Sequence, residues 1–408
     1  MASSGADADV LIVGGGPAGM MIGLLLARSG VPAKVVEKHA DFFRDFRGDT
    51  VHPSTMEILD ELGLLEDFLS RPHSRLTSAQ LRIDDREWKI GDLSHLATPA
   101  PFIAMMPQWD FLDFLRHRAQ IYPGFEIAMD EPVTGFVEEE GRVVGIRYAS
   151  GREEKAAKLV VAADGRSSLV RSLGLLPVET LGAPMDVLWF RLPKAADDGY
   201  DALRGSVQPG RMVVLIDRDD YWQAAFLIPK GTEAEVRARG VDWVREQVQR
   251  AFPDLDLSAA LASHDEVKLL SVSLDRLTRW SRPGLLAIGD AAHAMSPIGG
   301  VGINLAIQDA VAAANILARP LRDEGNVDAL LDRVQARRLL PTRIIQAGQR
   351  AAQDRIIGRV LGGAPFKAPA LVQLLDRFPL LRRVPGRLIG LGIRRGRVRS
   401  PNAYPDLS

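Results

Sequence analysis

The sequence contains no cysteine among its 408 residues. This absence excludes disulfide bonds, thiolate metal sites and a catalytic thiol, so any redox chemistry has to come from a bound cofactor. It is compatible with a reducing cytoplasm, and we expect a cytoplasmic protein without a metal site. Neither sign of charge dominates, since 51 lysines and arginines stand against 52 aspartates and glutamates. This balance gives no global attraction to nucleic acid, and we expect no nucleic-acid partner.

Long uninterrupted hydrophobic runs are also scarce. Residues 10–27 carry no charge, and their number alone would admit a membrane span. Four glycines and a proline within residues 14–19 interrupt this run, and no basic leader or signal-cleavage pattern accompanies it. We therefore reject a membrane span there, and we expect no other segment to be long enough. The composition, with 46% hydrophobic and 25% charged residues, is typical of a globular protein with a large core and two domains.

A glycine-rich turn near the N-terminus matches the dinucleotide fingerprint G-x-G-x-x-G at Gly14, Gly16 and Gly19. A predicted strand, residues 9–13, precedes the turn, and a predicted helix, residues 20–28, follows it. In this context Gly14 permits the tight turn, and Gly16 lets backbone N–H groups approach a pyrophosphate. Gly19 lets the helix pack close to the strand. The sequence therefore predicts dinucleotide binding at this turn.

A second predicted strand, residues 33–36, completes the motif, and Glu37 stands at its end. A carboxylate at this position can accept hydrogen bonds from ribose hydroxyls. An acidic residue suits an unphosphorylated ribose, so FAD or NAD is favoured over NADP at this site. Pro17, Ala18 and Lys38 belong to the same predicted cofactor site.

Two further strand-to-helix turns carry an acidic residue. One apolar strand, residues 159–163, ends in Asp164-Gly165, and another, residues 285–288, ends in a glycine followed by Asp290. Each of these is an ordinary tight turn when it is taken alone. The turn at Asp290 leads into a glycine loop and an apolar helix, residues 303–318. Since unpaired N–H groups point out of a helix start, this stretch can hold a polar or anionic group.

Residues 179–272 have the alternation of a mainly antiparallel sheet, followed by a charged helix predicted over 233–250. A hairpin is predicted over 81–90, with its turn at Asp84-Asp85. Aromatic residues are concentrated in the predicted sheet. For any one of them we favour the core of the sheet, whereas as a group they would form the wall of a flat apolar pocket: Trp189, Phe190, Tyr221, Trp222 and Phe226.

The C-terminal tail is helical and, over residues 377–399, basic. Its arginines alternate with leucine and isoleucine. A solvated face, or arginines packed back on the protein, is the interpretation we favour. A weak peripheral contact with a membrane or another anionic partner is the alternative. The arginines concerned are Arg382, Arg383, Arg387, Arg394, Arg395, Arg397 and Arg399.

The three turns, in this order, resemble those of the single-component, class A FAD-dependent aromatic monooxygenases of the para-hydroxybenzoate hydroxylase type. The resemblance covers residues 8–320, is strong in the motifs and is weak over the central sheet. Ala-Asp-Gly-Arg-Ser-Ser at 163–168 and Gly-Asp-Ala-Ala-His with a later proline at 289–297 are similar to signatures of that family.

We accordingly predict an α/β fold with an α+β insertion. A Rossmann-like FAD-binding domain would comprise residues 1–75, 98–178 and 273–408, including the helical tail. A mainly antiparallel β-sheet substrate domain would comprise residues 76–97 and 179–272.

The resemblance also implies roles for individual residues. Gly14, Gly16 and Gly19 would hold the FAD pyrophosphate, and Glu37 would bind the adenosine ribose. Other positions would contact the phosphate or ribityl part or the isoalloxazine ring. Arg47 and Gln108 would reach the phosphate or ribityl part, although a surface arginine and a helix cap are the alternatives. The remaining assignments are Asp164 with Gly165 for FAD, Asp290 for ribityl hydroxyls, and Pro297, Gly300, Gly302, Ile303 and Asn304 beside the ring.

The family mechanism uses NAD(P)H as a transient reductant and O₂ as the oxygen source. A flavin C4a-hydroperoxide would hydroxylate or epoxidise an aromatic or fused-ring small molecule, and the start of the helix near Ile303 would stabilise the reduced flavin. A base that deprotonates a phenol would assist. The candidates are His52, Arg191, Arg211 and Tyr221, whereas His293 is interpreted as structural.

The chain departs from the family pattern at Val301, where many relatives have glutamine or a similar polar residue. We also do not expect a thioredoxin-like C-terminal domain. Three alternatives remain open. One is a flavin halogenase, although the stretch 221–229 lacks the Trp-rich motif of those enzymes. Another is an FAD-dependent reductase or dehydrogenase of an isoprenoid or quinone-like substrate. The third is an FAD-binding redox partner or sensor without enzymatic activity.

Overall fold

A computed structural model describes residues 8–43, 50–83, 86–195, 203–218, 220–258 and 260–407. The strands, in chain order, are β1 Val10–Val13, β2 Ala33–Val36, β3 Thr50–Val51, β4 Ser74–Leu76, β5 Ser78–Ile83, β6 Arg86–Asp92, β7 Ile103–Met105, β8 Phe125–Ala128, β9 Val133–Glu139, β10 Arg142–Tyr148, β11 Glu153–Lys155, β12 Leu159–Ala162, β13 Val178–Thr180, β14 Met185–Pro193, β15 Leu203–Gln208, β16 Arg211–Asp217, β17 Tyr221–Pro229, β18 Lys268–Leu270, β19 Asp275–Leu277, β20 Ser281–Arg282, β21 Leu285–Ala287 and β22 His293–Ala294.

The α-helices, in chain order, are α1 Pro17–Arg28, α2 Pro53–Glu61, α3 Leu65–Leu69, α4 Gln108–Ala119, α5 Leu169–Ser172, α6 Glu233–Ala238, α7 Val241–Ala251, α8 Gly302–Arg322, α9 Asp328–Ala352, α10 Gly358–Leu361, α11 Ala370–Arg377 and α12 Arg383–Leu391. Short 3₁₀ turns cover Gly289–Ala291, Ile298–Gly300 and Pro379–Arg382, among others, and a π turn covers Gln353–Ile357.

The first sheet has the strand order β20-β21-β12-β1-β2-β8, and every pairing except that of β20 with β21 is parallel. Strands β1, β12 and β21 are buried at every position, as expected for parallel strands covered on both faces. Helices α1, α4 and α8 cover one face, and the small sheet of β9, β10 and β11 packs on the other. This is the α/β fold that the sequence predicts.

Helix α8 and the turn before it, Ile298–Arg322, are long and apolar enough to cross a membrane by length and composition. The expectation that no further segment has this length was therefore wrong. Buried residues make up 83% of the apolar window, because the helix packs between α1 and α9. Its apolar character is explained by this position in the core.

The second sheet is seven-stranded, in the order β18-β14-β17-β16-β15-β5-β6, and is antiparallel except where β15 pairs with β5. One face is covered by α6 and α7, and the other packs with Ile298 of the 3₁₀ turn before α8 and with Ile357 and Leu361 at α10. The strands of this sheet lie within the ranges 76–97 and 179–272 that were assigned to the substrate domain. The exact domain boundaries stay a prediction.

Two helix boundaries differ from those predicted. The charged helix expected over residues 233–250 is two helices, because Gly240 adopts a φ of 86° between α6 and α7. A left-handed residue cannot continue a right-handed helix. Helix α8, predicted over residues 303–318, continues through Pro320 to Arg322. Pro320 has no backbone N–H, so the last turn of the helix lacks one hydrogen bond.

Candidate active site

The three turns singled out in the sequence lie side by side at one edge of the parallel sheet. Val13 of β1 pairs with Ala162 of β12, and Ala162 pairs in turn with Ala287 of β21. Gly14, Asp164 and Asp290 each come shortly after the end of one of these neighbouring strands. Because parallel strands end at the same edge of a sheet, the three residues lie at that edge. The edge continues on the other side with β2, whose last residue precedes Glu37. The fold thus brings together residues that are more than 270 positions apart in the chain.

The first turn depends on glycine at two positions for reasons of space. Gly14 has a φ of 105°, and a Cβ there would collide with the backbone of Ala163. A Cβ on Gly19 would collide with the carbonyl oxygen of Gly14. A Cβ on Gly16, in contrast, would meet nothing within 4 Å. This open space lies directly before α1, where the helix N–H groups can bind an anion, so the turn fits a pyrophosphate.

Glu37 is held at the end of β2 by backbone donors. Its Oε2 accepts from Gly15 N at 2.8 Å, and its Oε1 accepts from His39 N at 3.1 Å. The side chain is buried, with 8% of the residue exposed. The carboxylate is therefore fixed against the glycine turn, in the position expected of a ribose acceptor, and Lys38 next to it is exposed.

Asp164 is bonded to the start of the short helix α5, whose N-cap residue is Ser168. Its carboxylate accepts from Ser168 Oγ at 2.5 Å and from Leu169 N at 2.8 Å. Burial raises the pKa of this carboxyl, against the opposing effect of these donors. Gly165, with a φ of 84° and open space on its Cβ side, supplies the turn. Asp164 thus shapes the second turn through local hydrogen bonds.

Asp290 is connected to the second turn by two arginines. Arg166 Nε donates to Asp290 Oδ2 at 3.0 Å, and Arg171 donates to the carbonyl oxygens of Asp290 and Ala291 at 2.9 and 3.0 Å. The Asp290 side chain remains 28% exposed toward the edge of the sheet. Arg166 belongs to the quoted motif at 163–168 but received no role from the sequence. Its contact depends on a fold that places residues 166 and 290 together.

The third turn leads into α8 through two glycines in the left-handed region, Gly299 at φ 78° and Gly300 at φ 61°. A Cβ on Gly300 would lie 2.5 Å from Thr50 Oγ1, so only glycine fits. Pro297 begins this 3₁₀ turn, and Val301 caps α8 without a side-chain hydrogen bond. The side chain of Val301 therefore does not accept a hydrogen bond from the first N–H groups of α8, which begin at Gly302 and Ile303. They can stabilise a negatively charged group that binds at the N-terminus of the helix.

The place of Asn304 beside the ring stays a prediction. Its side chain, buried in the first turn of α8, is bonded within the protein. Its Oδ1 accepts from His52 N at 2.8 Å and from Thr55 Oγ1 at 2.7 Å. Its Nδ2 donates to the carbonyl oxygens of Thr50 and Gly300, both at 3.3 Å. A side-chain amide has two donors and two acceptor sites, so all four are used within the protein. Asn304 holds the loop around residues 50–55 against the start of α8.

His52, a candidate base, is completely buried. Its Nδ1 lies 2.9 Å from the carbonyl oxygen of Ile389 in α12 and must carry the proton, since a carbonyl oxygen only accepts. Nε2 is then the unprotonated nitrogen, and it has no hydrogen-bond partner among the described residues. Burial lowers the pKa of His52 to about 4, although the carbonyl groups of Ile389 and Gly300 oppose this effect. His52 is a neutral histidine at physiological pH.

The other candidates lie in different places. The guanidinium of Arg191 lies over the ring of Tyr221, 4.7 Å from its centre, at one end of β14 and β17. Arg211 lies on the helix-covered face of the sheet, near Arg250 and Glu246 of α7. Because β16 alternates, Arg211 points away from the parallel sheet, which removes it from the candidate bases.

Gln108 is the half-buried first residue of α4. Arg47 lies outside the described residues, so its predicted contact with the cofactor stays a prediction.

His293 is part of a buried ionic network. Its Nε2 lies 2.6 Å from Asp309 Oδ2, and Arg338 Nε donates to Asp309 Oδ1 at 2.7 Å. Burial would raise the pKa of Asp309, but His293 and Arg338 hold it below its ordinary value. Gly289 N also donates to Asp309 Oδ2, at 3.1 Å. The network fixes the third turn to α8 and α9, in agreement with a structural role for His293.

The aromatic residues of the seven-stranded sheet divide between its two faces. Phe190, Trp222 and Phe226 are buried in the core beneath α6 and α7. Trp189 points to the opposite face, where it packs with apolar residues of the sheet and with Ile298 of the third turn. Two-residue alternation along β14 and β17 separates the two sets. The interpretation of the cluster as one pocket wall is therefore wrong for these three residues.

Known proteins resemble this chain over most of its length. A family model described as an FAD binding domain matches residues 7–347. The chain is 36% identical over 407 residues to 6-methylpretetramide 4-monooxygenase from Streptomyces rimosus, which covers 98% of this chain and 96% of that protein. It is 27% identical over 390 residues to aklavinone 12-hydroxylase DnrF from Streptomyces peucetius, with coverages of 90% and 78%.

Solved structures share the fold. PqsL, a probable FAD-dependent monooxygenase from Pseudomonas aeruginosa, superimposes with a TM-score of 0.74 at 24% identity, covering 87% of this chain and 98% of that one. OxyS anhydrotetracycline hydroxylase from Streptomyces rimosus gives a TM-score of 0.71 at 23% identity, with coverages of 94% and 76%. The family match and the 36% relative confirm the resemblance seen in the motifs. The chain belongs to the class A FAD-dependent aromatic monooxygenases of the para-hydroxybenzoate hydroxylase type, and it is an FAD-dependent monooxygenase.

Proposed function

We propose that this monooxygenase uses NAD(P)H and O₂ to hydroxylate, or epoxidise, a fused-ring aromatic small molecule. The relative at 36% identity is named for 6-methylpretetramide, and another is named for aklavinone. These names support a large aromatic substrate of the polyketide kind. A hydroxylase is favoured over a reductase or halogenase, because the relatives found are named as monooxygenases and hydroxylases.

The observation that carries this proposal is the apolar face of the seven-stranded sheet. Val187, Ala225 and Leu227 lie on the face that packs against Ile298, in the turn that precedes α8, and against Ile357 and Leu361 at α10. A flat apolar surface opposite the start of α8 suits a flat ring system, which would be held between the sheet and the cofactor. The same arrangement would exclude water from the reacting atoms.

Trp189 provides a polar group on this apolar wall. Its ring packs with both neighbouring apolar clusters, and its Nε1–H is buried without a hydrogen-bond partner among the described residues. A buried donor without a partner is costly, and a ligand oxygen would satisfy it. We assign Trp189 to the orientation of a carbonyl or hydroxyl group of the substrate.

For FAD we assign the three turns to different parts of the molecule. The N–H groups around Gly16 would hold the pyrophosphate, Glu37 the adenosine ribose and Asp290 the ribityl chain. The N-terminus of α8 would face the isoalloxazine ring and stabilise the negative charge of its reduced form. When bound, FAD supplies the redox chemistry, with NAD(P)H as the electron source. His52, with a pKa of about 4, is a weak base for a phenol, so we give it a positioning role.

The proposal is tested by a screen of fused-ring aromatic compounds against the FAD-loaded enzyme. The expected result is faster NAD(P)H oxidation with one class of compound, together with a product heavier by one oxygen. Consumption of one O₂ per product would exclude a reductase or dehydrogenase. NAD(P)H oxidation that no aromatic compound accelerates would contradict the proposal.

A further inference from the structure

Exposed apolar side chains are concentrated at one place on the surface. Among the described residues, seven of the fifteen large hydrophobic residues that are exposed lie within residues 371–388. They belong to α11, α12 and the 3₁₀ turn between them, which we call the C-terminal helix pair, residues 370–391. Patches of this kind on a water-exposed surface commonly mark an interaction site. The residues are Leu371, Leu374, Phe378, Leu380, Leu381, Val384 and Leu388.

The same surface is positively charged. Residues 370–399 contain eight arginines and a single acidic residue, Asp376, although the whole chain has a net charge of −1. Asp376 is already bonded to Arg86 at 2.9 Å. Arg377, Arg383 and Arg387 are exposed among the apolar residues.

Two arginines near the end of the tail form ion pairs with acidic residues of α2. Arg395 pairs with Glu57, and Arg397 pairs with Glu61 at 3.3 Å. They pack back on α2, as favoured from the sequence. Arg394 and Arg399 are exposed beside the C-terminal helix pair, so the positively charged surface continues from the pair into the end of the tail.

We propose that the C-terminal helix pair docks this enzyme on the surface of an anionic lipid bilayer. Leucine, valine and phenylalanine would enter the boundary between headgroups and acyl chains, and the arginines among them would contact lipid phosphates. The charge complementarity distinguishes this partner from a second copy of the chain. A twofold contact would bring the same arginines of two protomers together, and the only acidic residue of the patch is already paired.

The inner side of the C-terminal helix pair packs on the seven-stranded sheet and on the loop before α2. Leu391 packs with Met105 and Ile216, and the carbonyl oxygen of Ile389 accepts from His52. A docked bilayer would thus lie one helix away from the loop that Asn304 bonds to the start of α8, which suits a fused-ring substrate that partitions into lipid. That last consequence rests on the proposed function, whereas the docking itself does not.

The test is vesicle co-sedimentation of the full-length, FAD-loaded enzyme. Vesicles of phosphatidylcholine with phosphatidylglycerol should sediment the enzyme, and vesicles of phosphatidylcholine alone should sediment far less. Replacing Arg383→Gln together with Arg387→Gln should weaken binding about twentyfold, since each cation near an anionic surface contributes about a factor of five. Salt at 1 M should have a similar effect because it shortens the Debye length to about 3 Å.

The apolar contribution is tested by Leu380→Ser with Val384→Ser, two residues that are 69% and 67% exposed. This variant should lose binding at unchanged thermal stability. The matched controls are Leu173→Ser with Leu269→Ser, which are exposed elsewhere, and Arg147→Gln with Arg350→Gln. Both control pairs should bind vesicles like the parent.

Absence of binding to the phosphatidylglycerol vesicles overturns the proposal. So does a dimer in analytical ultracentrifugation that Leu380→Ser with Val384→Ser converts to a monomer, because the patch would then bind a second copy. Sedimentation does not depend on turnover. An enzyme that binds vesicles but oxidises no aromatic compound would contradict the proposed function alone.

Discussion

Arg166 Nε donates to Asp290 Oδ2 at 3.0 Å and so joins the second acidic turn of the parallel sheet to the third. Asp290 is the residue that we assign to the ribityl chain, and Arg166 limits the directions in which its carboxylate can point. The two residues lie in the turns that follow strands β12 and β21, which are neighbours in the sheet. The pair therefore couples the geometry of the flavin site to the register of the sheet.

The change Asp290→Ala should weaken the retention of FAD. It removes one acceptor for the ribityl chain and leaves Arg166 without its carboxylate. A hydrogen bond to a charged group is worth about 1.5–3 kcal/mol, so the Kd for FAD should rise roughly ten- to hundredfold. Fluorescence titration of the apoenzyme measures this. The control is Asp113→Ala, which removes a half-buried ion pair with Arg116 in α4. Equal FAD affinity in the parent and Asp290→Ala would show that the assignment is wrong.

The space beside Gly16 gives a second prediction. A Cβ at Gly16 meets no protein atom within 4 Å, and its backbone is extended, with φ −73° and ψ −176°. Gly16→Ala should therefore fold, but its methyl group should occupy the space assigned to the pyrophosphate. We expect a near-normal melting temperature for the apoenzyme and an FAD affinity lowered at least tenfold.

Gly348→Ala is the matched control for Gly16→Ala, because a Cβ there also meets nothing within 4 Å. It lies inside α9, where alanine is favoured over glycine by about 0.5–1 kcal/mol, so this variant should be slightly more stable. Its FAD affinity should equal that of the parent. If Gly16→Ala also binds FAD normally, the pyrophosphate does not lie at that turn.

Local sequence signals predicted the glycine turn and β2 well, because G-x-G-x-x-G and its flanking strands are contiguous. Residues 33–36 form the predicted strand. The hydrogen bonds of Asn304 could not be predicted in this way, since all four are to residues 50, 52, 55 and 300. The pocket-wall interpretation failed for Phe190, Trp222 and Phe226 because the aromatic residues were considered as one group, although alternation along β14 places Trp189 and Phe190 on opposite faces. The contact of Arg166 with Asp290 could not be predicted, because it depends on the order of the strands in the sheet, which no local sequence pattern contains.

His52 should make stability depend on pH. Its folded pKa is lowered to about 4 from the ordinary histidine value of 6.5, so the unfolded chain binds the proton more readily. The contribution of neutral His52 to the free energy of unfolding is fully present above pH 6.5 and is lost as the pH falls toward 4. Between pH 7 and pH 5 the loss should be about 2 kcal/mol in the free energy of unfolding.

Urea unfolding of the parent and of His52→Asn at both pH values measures this loss. The asparagine amide retains a donor for Ile389 but does not titrate, so its stability should fall by about 2 kcal/mol less than that of the parent. His117→Gln, at an exposed histidine, should behave like the parent. Parallel pH dependence of the parent and His52→Asn would contradict the burial of a neutral His52.

Trp189→Phe tests the polar group on the apolar wall. The phenyl ring preserves most of the packing but removes the Nε1–H, so the orientation of the substrate should be lost more than its affinity. We expect less product per NAD(P)H oxidised, with the excess electrons leaving as hydrogen peroxide, and a small change in KM. Trp222→Phe, on the opposite face, should lower the melting temperature without changing this ratio. An unchanged ratio in Trp189→Phe would remove Trp189 from the site.

The most direct test of the account is the origin of the oxygen in the product. The FAD-loaded enzyme is supplied with NAD(P)H and an accepted fused-ring aromatic compound under ¹⁸O₂, and the product is analysed by mass spectrometry. The account predicts one ¹⁸O atom in each product molecule. A product without ¹⁸O, whether it gained oxygen from water or only lost hydrogen, would contradict it.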